Sequence, residues 1–206
     1  MKKILFSMIT IASLSYGNGC VLVQPDDINV TWKAYKTLAK LGVSGQFTGV
    51  KYTPHQKEGK NFRDLFVGST VSIDLSKIDT HNEGRDKTLV QYFFAKLKEG
   101  SIQGKIVDIQ ADKTTDGKRA YRGVVTVDIT MNQKTLRIPM RYHYKEGNFN
   151  AEGNIDLFDF DAQNALATIN KSCYDLHKGK TWSDVTIGFS TTVKATLCNV
   201  KIETKK

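Results

Sequence analysis

The chain has 206 residues, a formal charge of +9, 40% hydrophobic residues and three cysteines. Setting aside a leader segment leaves about 190 residues, which fits one domain or one barrel around a cavity and leaves little room for two. The lysines are scattered through turns and no basic face is interleaved with exposed aromatics, which excludes nucleic acid as a partner. No apolar stretch approaches the roughly 20 residues that a membrane-spanning helix needs.

Residues 1–19 read as a secretory signal peptide: Lys2 and Lys3, an apolar run from Ile4 to Leu14, then small or polar residues to Gly19. Residues 20–206 are the expected mature domain, and export implies the periplasm. Cys20 raises the alternative of a lipid anchor, but Gly17, Asn18 and Gly19 precede it and the Leu of such signals is missing. Removing Lys2 and Lys3 lowers the charge from +9 to +7, an excess compatible with solubility or with a transient contact at an anionic phospholipid surface.

From Val30 onward the chain alternates apolar and polar residues with period two, as half-buried strands do. Val30 and Trp32 begin it, followed by Val43, Gly45 and Phe47, by Val71, Ile73 and Leu75, and by Ile102, Gly104 and Ile106. Tyr121 to Met131, Leu136 to Tyr144 and Phe149 to Leu157 form three consecutive strands joined by short turns. Val185, Ile187 and Phe189, then Val193, Ala195 and Leu197, complete a count of about eight. The expected fold is all-β, an eight-stranded antiparallel barrel with two short helices, wide enough to be filled by side chains or to hold one small ligand. Gly45, Gly104, Gly123 and Gly153 occupy strand positions, where bends are the expected use. The helices are expected from Thr88 to Leu97 and from Ala162 to Leu176, as lids over the barrel mouths.

Motifs of catalysis are missing. There is no Gly-x-Ser-x-Gly and no His-Glu-x-x-His, and His55, His81, His143 and His177 are far apart. Gly179, Lys180 and Thr181 resemble the end of a phosphate-binding loop, but position 174 is Tyr where that loop needs Gly. No Cys-x-x-Cys is present, and Cys173 with His177 offers only two ligands, so no metal is expected. Among Cys20, Cys173 and Cys198 three pairings are open. The pair Cys20 with Cys173, which would tether the N-terminus to a helix, is the expected disulfide. Between Thr80 and Asp86, Asn82 or Asp86 is expected to cap a helix and Arg85 to hold a neighbouring carboxylate or a ligand head group.

Ile78, Asp79, Thr80, His81 and Asn82, then Arg85, Asp86 and the pair Phe93 and Phe94, resemble a Thr, Asn, Arg-Asp and Phe-Phe string of the YceI-like proteins, bacterial periplasmic barrels of lipocalin type. Val43, Gly45 and Phe47 match an early Val-x-Gly-x-Phe of that family, and Cys173 to Val185 is similar to its last crossover. The resemblance runs from about Val30 to Val193. It implies a barrel that sequesters or carries a long-chain amphiphile such as an isoprenoid, a quinone tail or a fatty-acid derivative, with no catalytic residues, no cofactor and no enzyme activity.

The residues expected to line that interior are Trp32, Phe47, Ile73, Arg85, Phe93, Phe94, Val127, Ile129, Met140, Tyr142, Phe158, Phe160, Trp182 and Phe189. Homodimerisation is compatible with such a barrel. Two rivals are a solid-cored barrel docking a membrane redox partner, and a hydrolase of lipid or cell-wall material using His81 or Asp86.

Overall fold

The computed structural model describes residues 21–113 and 121–196. The expected signal peptide, Cys20 and Cys198 lie outside the described residues. The first half contains β1 (Val21–Val23), β2 (Asn29–Lys36), β3 (Leu41–Phe47), β4 (Val50–Thr53), β5 (Glu58–Gly59), α1 (Phe62–Phe66), β6 (Thr70–Asp74), β7 (Ile78–Asp79) and α2 (Glu83–Tyr92). A single 3-10 turn, Phe94–Lys96, leads into β8 (Ser101–Ala111), β9 (Arg122–Met131), β10 (Lys134–Lys145) and β11 (Asn148–Asp156). The chain ends with α3 (Gln163–Ser172), α4 (Tyr174–His177), β12 (Thr181–Thr192) and β13 (Lys194–Thr196).

The fold is all-β. Ten strand segments form one antiparallel sheet in the order β4-β6-β8-β9-β10-β11-β12-β2-β3-β7, and β13-β1-β5 form a small second sheet. The main sheet thus has ten segments where the sequence suggested about eight strands. Two short links bring its ends together: only Thr48 and Gly49 separate β3, next to the last strand β7, from the first strand β4, and only Leu75, Ser76 and Lys77 separate β6, next to β4, from β7. Thr48 N donates to Lys77 O at 2.9 Å and Asp74 N donates to Gly49 O at 2.9 Å, so backbone bonding continues through the breaks and the sheet curls on itself.

Alternation sets each strand's two faces. In β10, Met140 and Tyr142 are buried while Thr135, Arg137, Pro139, Arg141 and His143 are exposed. Asn132 and Gln133 join β9 to β10 with φ of 54° and 66°, and Glu146 and Gly147 join β10 to β11 with φ of 52° and 83°, the positive pair that tight hairpins favour. On the outer face Arg137 bonds both oxygens of Asp128 and Arg141 both oxygens of Asp112. Solvent screens these pairs, so they fix register more than they stabilise.

Two apolar clusters occupy the two ends. One joins Trp32, Phe93, Phe94, Met131, Leu157 and Phe160 to Leu166 and Ile169 of α3. The other centres on Phe149, whose ring lies 4.7 Å from Phe66, 4.9 Å from Tyr142 and 5.2 Å from Phe62, so α1 fills that end. Helix boundaries depart from expectation. α2 starts earlier because Asn82 Oδ1 accepts from Arg85 N at 2.9 Å, and it gives way at Phe93 to the 3-10 turn. The expected helix over 162–176 is broken at Cys173, where ψ is 26°. α1, five residues capped by Asn61, is too short to show a helical period.

The strand glycines accommodate neighbours. Gly45 faces Trp32 across β2 and β3, and a Cβ there would sit 2.5 Å from the indole. Gly123 faces Tyr142, and its Cβ would meet Gln110 O at 2.1 Å and the tyrosine ring at 2.6 Å. Gly123→Ala should therefore destabilise by about 1–3 kcal/mol, the usual cost of overpacking a tight site. Gly100→Ala, with nothing within 4 Å of the new methyl, should stay within about 0.5 kcal/mol of the parent when both variants are unfolded by urea.

Candidate ligand-binding site

The interior of the sheet holds two apolar cavities, one of about 170 Å³ and one of about 80 Å³. β2, β3, β8, β11 and β12 supply the wall of the larger one, and α2, the 3-10 turn and α3 close over it. Trp32, Phe47, Arg85, Phe93, Phe94 and Trp182 of the expected set line this chamber. Ile73, Val127, Ile129, Met140 and Phe189 line the smaller one. Three expected residues line neither. Tyr142 and Phe160 are consumed in the two solid clusters, and Phe158 is 48% exposed because the strand alternation stops at β11 and the following turn points it outward.

The larger chamber also contains Tyr35 and, beyond the aromatic residues, side chains that were not expected to line it: Lys36, Leu89, Cys173, His177 and Thr181. Lys36 and Thr181 pair across β2 and β12, so they share one rim of the chamber. Only the facing of the two strands brings them together, and no spacing in the sequence signals it.

Arg85 is held differently from expectation. Its partner is Thr80: Nε donates to Thr80 Oγ1 at 2.9 Å and Nη2 to Thr80 O at 3.0 Å. Asp86 supports this arrangement by accepting from Thr80 N at 3.0 Å and Thr80 Oγ1 at 2.5 Å. The string Thr80, Asn82, Arg85 and Asp86 thus caps α2 and fixes it over the chamber. His81 lies outside, 86% exposed, with Nδ1 3.4 Å from Asp79 Oδ1.

His177 Nδ1 lies 2.7 Å from Thr181 Oγ1, which donates onward to Asn170 Oδ1 at 2.8 Å. With its proton committed to Asn170, Thr181 accepts from His177, which fixes the Nδ1–H tautomer. Burial, aided by the charge of Lys36, lowers the His177 pKa below 6.5. Burial also pushes the Cys173 thiol up, against the opposing pull of Lys36, so at neutral pH it is a protonated thiol. Among the described residues Cys173 is free, and it packs against the cluster at the α3 end; the expected pairing with Cys20 falls outside them. Among the described residues no group of three His, Cys, Asp or Glu is placed to hold a metal.

A lowered histidine pKa means that the unfolded chain binds a proton more readily than the fold does. The contribution of neutral His177 is then complete above pH 6.5 and is lost as the pH falls through the folded value. His177→Gln should flatten the fall in denaturation midpoint on acidification below that pH. An unchanged slope would assign the effect to other groups.

A family model described as the YceI-like domain matches residues 22–195. None of the curated proteins compared is significantly similar in sequence. Among solved structures, a polyisoprenoid-binding domain from Saccharophagus degradans superposes with a TM-score of 0.55 at 10% identity, over 87% of this chain and 100% of that one. The YceI protein of Campylobacter jejuni gives 0.51 at 16% identity over 95% and 99% of the two chains. BcnA of Burkholderia cenocepacia gives 0.51 at 13% over 81% and 96%. At these identities the likeness extends to the fold, and the domain match carries the assignment: the chain belongs to the YceI-like domain family.

Proposed function

We propose that the protein is an exported binding protein that holds the chain of a long amphiphile, an isoprenoid, quinone tail or fatty-acid derivative, inside the curled sheet. The observation that carries this is that the two apolar chambers lie end to end and meet at the same two side chains. Ile102 of β8 and Ile187 of β12 line both chambers, four places apart in the sheet order. Along the inner face of β12, Val185 belongs to the larger chamber, Ile187 to both and Phe189 to the smaller. An extended chain running parallel to the strands would pass between these isoleucines into the second chamber. Each buried methylene then contributes about 0.8 kcal/mol.

Lys36 and Arg85 line the larger chamber, beside Thr88, His177 and Thr181, whereas no charged residue lines the smaller one, so the head group sits at the larger end. Counting β3 with β4, and β6 with β7, as single bent strands gives an eight-stranded barrel around the guest. The Saccharophagus degradans relative, a polyisoprenoid-binding domain, supports this choice of ligand class. Binding without catalysis is favoured by the protonated thiol of Cys173, by the commitment of Asp86 to Thr80 and by the exposure of His81. The signal-like residues 1–19 favour the periplasm as its location.

Native mass spectrometry of the mature protein from its periplasm should show one long-chain lipid or quinone per chain, released by organic solvent. Phe47→Glu places a carboxylate in the larger chamber, at a cost of several kcal/mol to a bound hydrocarbon, and should abolish retention. Circular dichroism confirms the fold of the variant. A folded variant that keeps its guest, or a parent still empty after incubation with bacterial lipids, overturns the proposal.

A further inference from the structure

Among the described residues six large hydrophobic side chains are exposed: Leu38, Leu41, Tyr121, Phe158, Tyr174 and Leu176. Single exposed apolar side chains are ordinary, but a contiguous group marks an interaction surface. Four of these six converge on one rim. Leu38 and Leu41 flank the turn from β2 to β3, and Tyr174 and Leu176 lie on α4, the last helical turn before β12. The two segments are bonded to each other's neighbours. Thr37 N donates to Lys180 O at 2.8 Å, Trp182 Nε1 donates to Thr37 O at 2.7 Å, and Gly179 N donates to Tyr174 O at 2.9 Å. The exposures are 81% for Leu38, 73% for Leu176, 61% for Tyr174 and 54% for Leu41.

Lysines are interleaved with these apolar tips. Lys40 and Lys180 place their ammonium groups 5.1 Å and 4.6 Å from the Trp182 ring centroid, and Lys36 and Lys178 are in the same segments. The carboxylates there are Asp184, paired with Lys40 at 2.7 Å, and Asp175 on α4. With Asp156, which faces Asp184 from β11, four lysines stand against three carboxylates, and the rim keeps a positive excess. Trp182, Lys36 and His177 of this rim also line the larger chamber, so the rim borders it.

We infer that this rim docks onto an anionic phospholipid bilayer. Leu38, Leu41, Tyr174 and Leu176 enter the boundary between head groups and acyl chains, and the lysines face the lipid phosphates. A second copy of the chain fits less well, because a two-fold contact through this surface sets the lysines of one copy against those of the other. Docked in this way, this side of the chamber faces the lipid, and a long chain moves between bilayer and interior without crossing water. That use rests on the function proposed above, whereas the docking itself does not.

The test is sedimentation of the mature protein with vesicles of phosphatidylglycerol and phosphatidylethanolamine, set against vesicles of phosphatidylcholine alone, at low and high salt. Binding is expected to the anionic vesicles, to weaken with salt, and to fall by at least about tenfold in the double variant Leu38→Asp, Leu176→Asp and in the double variant Lys178→Glu, Lys180→Glu. Tyr121→Asp, remote from this rim in the chain and the sheet, should bind as the parent does. Equal binding to both vesicle types, no binding to either, or loss in Tyr121→Asp alone overturns the inference. A concentration-dependent doubling of mass that disappears with Leu38→Asp assigns the surface to a second copy and also overturns it. Anionic docking by a protein from which solvent releases no guest leaves the rim's role intact and refutes the interior site.

Discussion

The open interior depends on a cross-strand pairing of glycine with a large side chain. Trp32 is buried against Gly45, and the space that a Cβ at position 45 would need is already filled by the indole. Tyr142 uses Gly123 in the same way, and Val71 uses Gly104, where a Cβ would lie 2.8 Å from its methyl. A tryptophan on an inward face would otherwise project into the lumen and fill it. Laid against a glycine on the next strand it becomes wall, and a sheet of this size keeps free space at its centre. Enlarging the glycine pushes the ring inward, so tight local contact and central emptiness are two results of one arrangement.

Much of this was legible in the sequence. The apolar set Leu136, Ile138, Met140, Tyr142 and Tyr144 is the inner face of β10, because a period of two leaves a strand one choice of face. The glycines were visible too, but their use was not, since a sequence does not show which residue on the neighbouring strand lies opposite. Phe158 failed as a lining residue because the alternation ends at Leu157, and a hydrophobic residue one step into a turn has no assigned face. Tyr142 and Met140 share a face, yet only Met140 borders a cavity; two residues further along, the rings of Phe149 and Phe62 have closed the space. Lys36, His177 and Thr181 were not recognised as chamber residues because polar residues near the ends of strands and helices look like ordinary surface. Their convergence is a product of the register between β2 and β12.

Helices over a cavity face a difficulty that core helices do not: part of their apolar face meets empty space and gains little from burial. α2 has no fully buried residue, and it is anchored by polar bonds at its N-terminus, through Asn82 and through the Asp86, Thr80 and Arg85 set. The far end of the cover is anchored by Asn132, whose Nδ2 donates to Phe160 O at 2.8 Å and Asp161 O at 3.0 Å while its Oδ1 accepts from Lys98 N. Asn132 also sits in the turn between β9 and β10, so one buried amide joins that hairpin to the segments on both sides of the lids. Directional bonds of this kind hold a cover in place without requiring the interior beneath it to be full.

The two ends of the sheet are consequently unequal. At the α1 end, Phe62, Phe66, Tyr142 and Phe149 form a continuous ring cluster with Leu65 and Phe66 almost wholly buried, and opening it would expose the second core. At the other end the cover is α2, with no fully buried residue, the 3-10 turn and α3, which bury Phe94, Ala165, Leu166 and Ile169, and α4, whose Tyr174 and Leu176 face solvent. Local opening follows the cheapest set of contacts, and within this cover those are at α2 and α4. The covered end is also the end where the polar groups Lys36, Arg85 and His177 border the larger chamber. A guest loaded there meets first the chamber able to take a head group at its rim, and reaches the second only by passing Ile102 and Ile187. In the function proposed above, the direction of loading and the orientation of an amphiphile would both be set by this asymmetry between a filled end and a covered one.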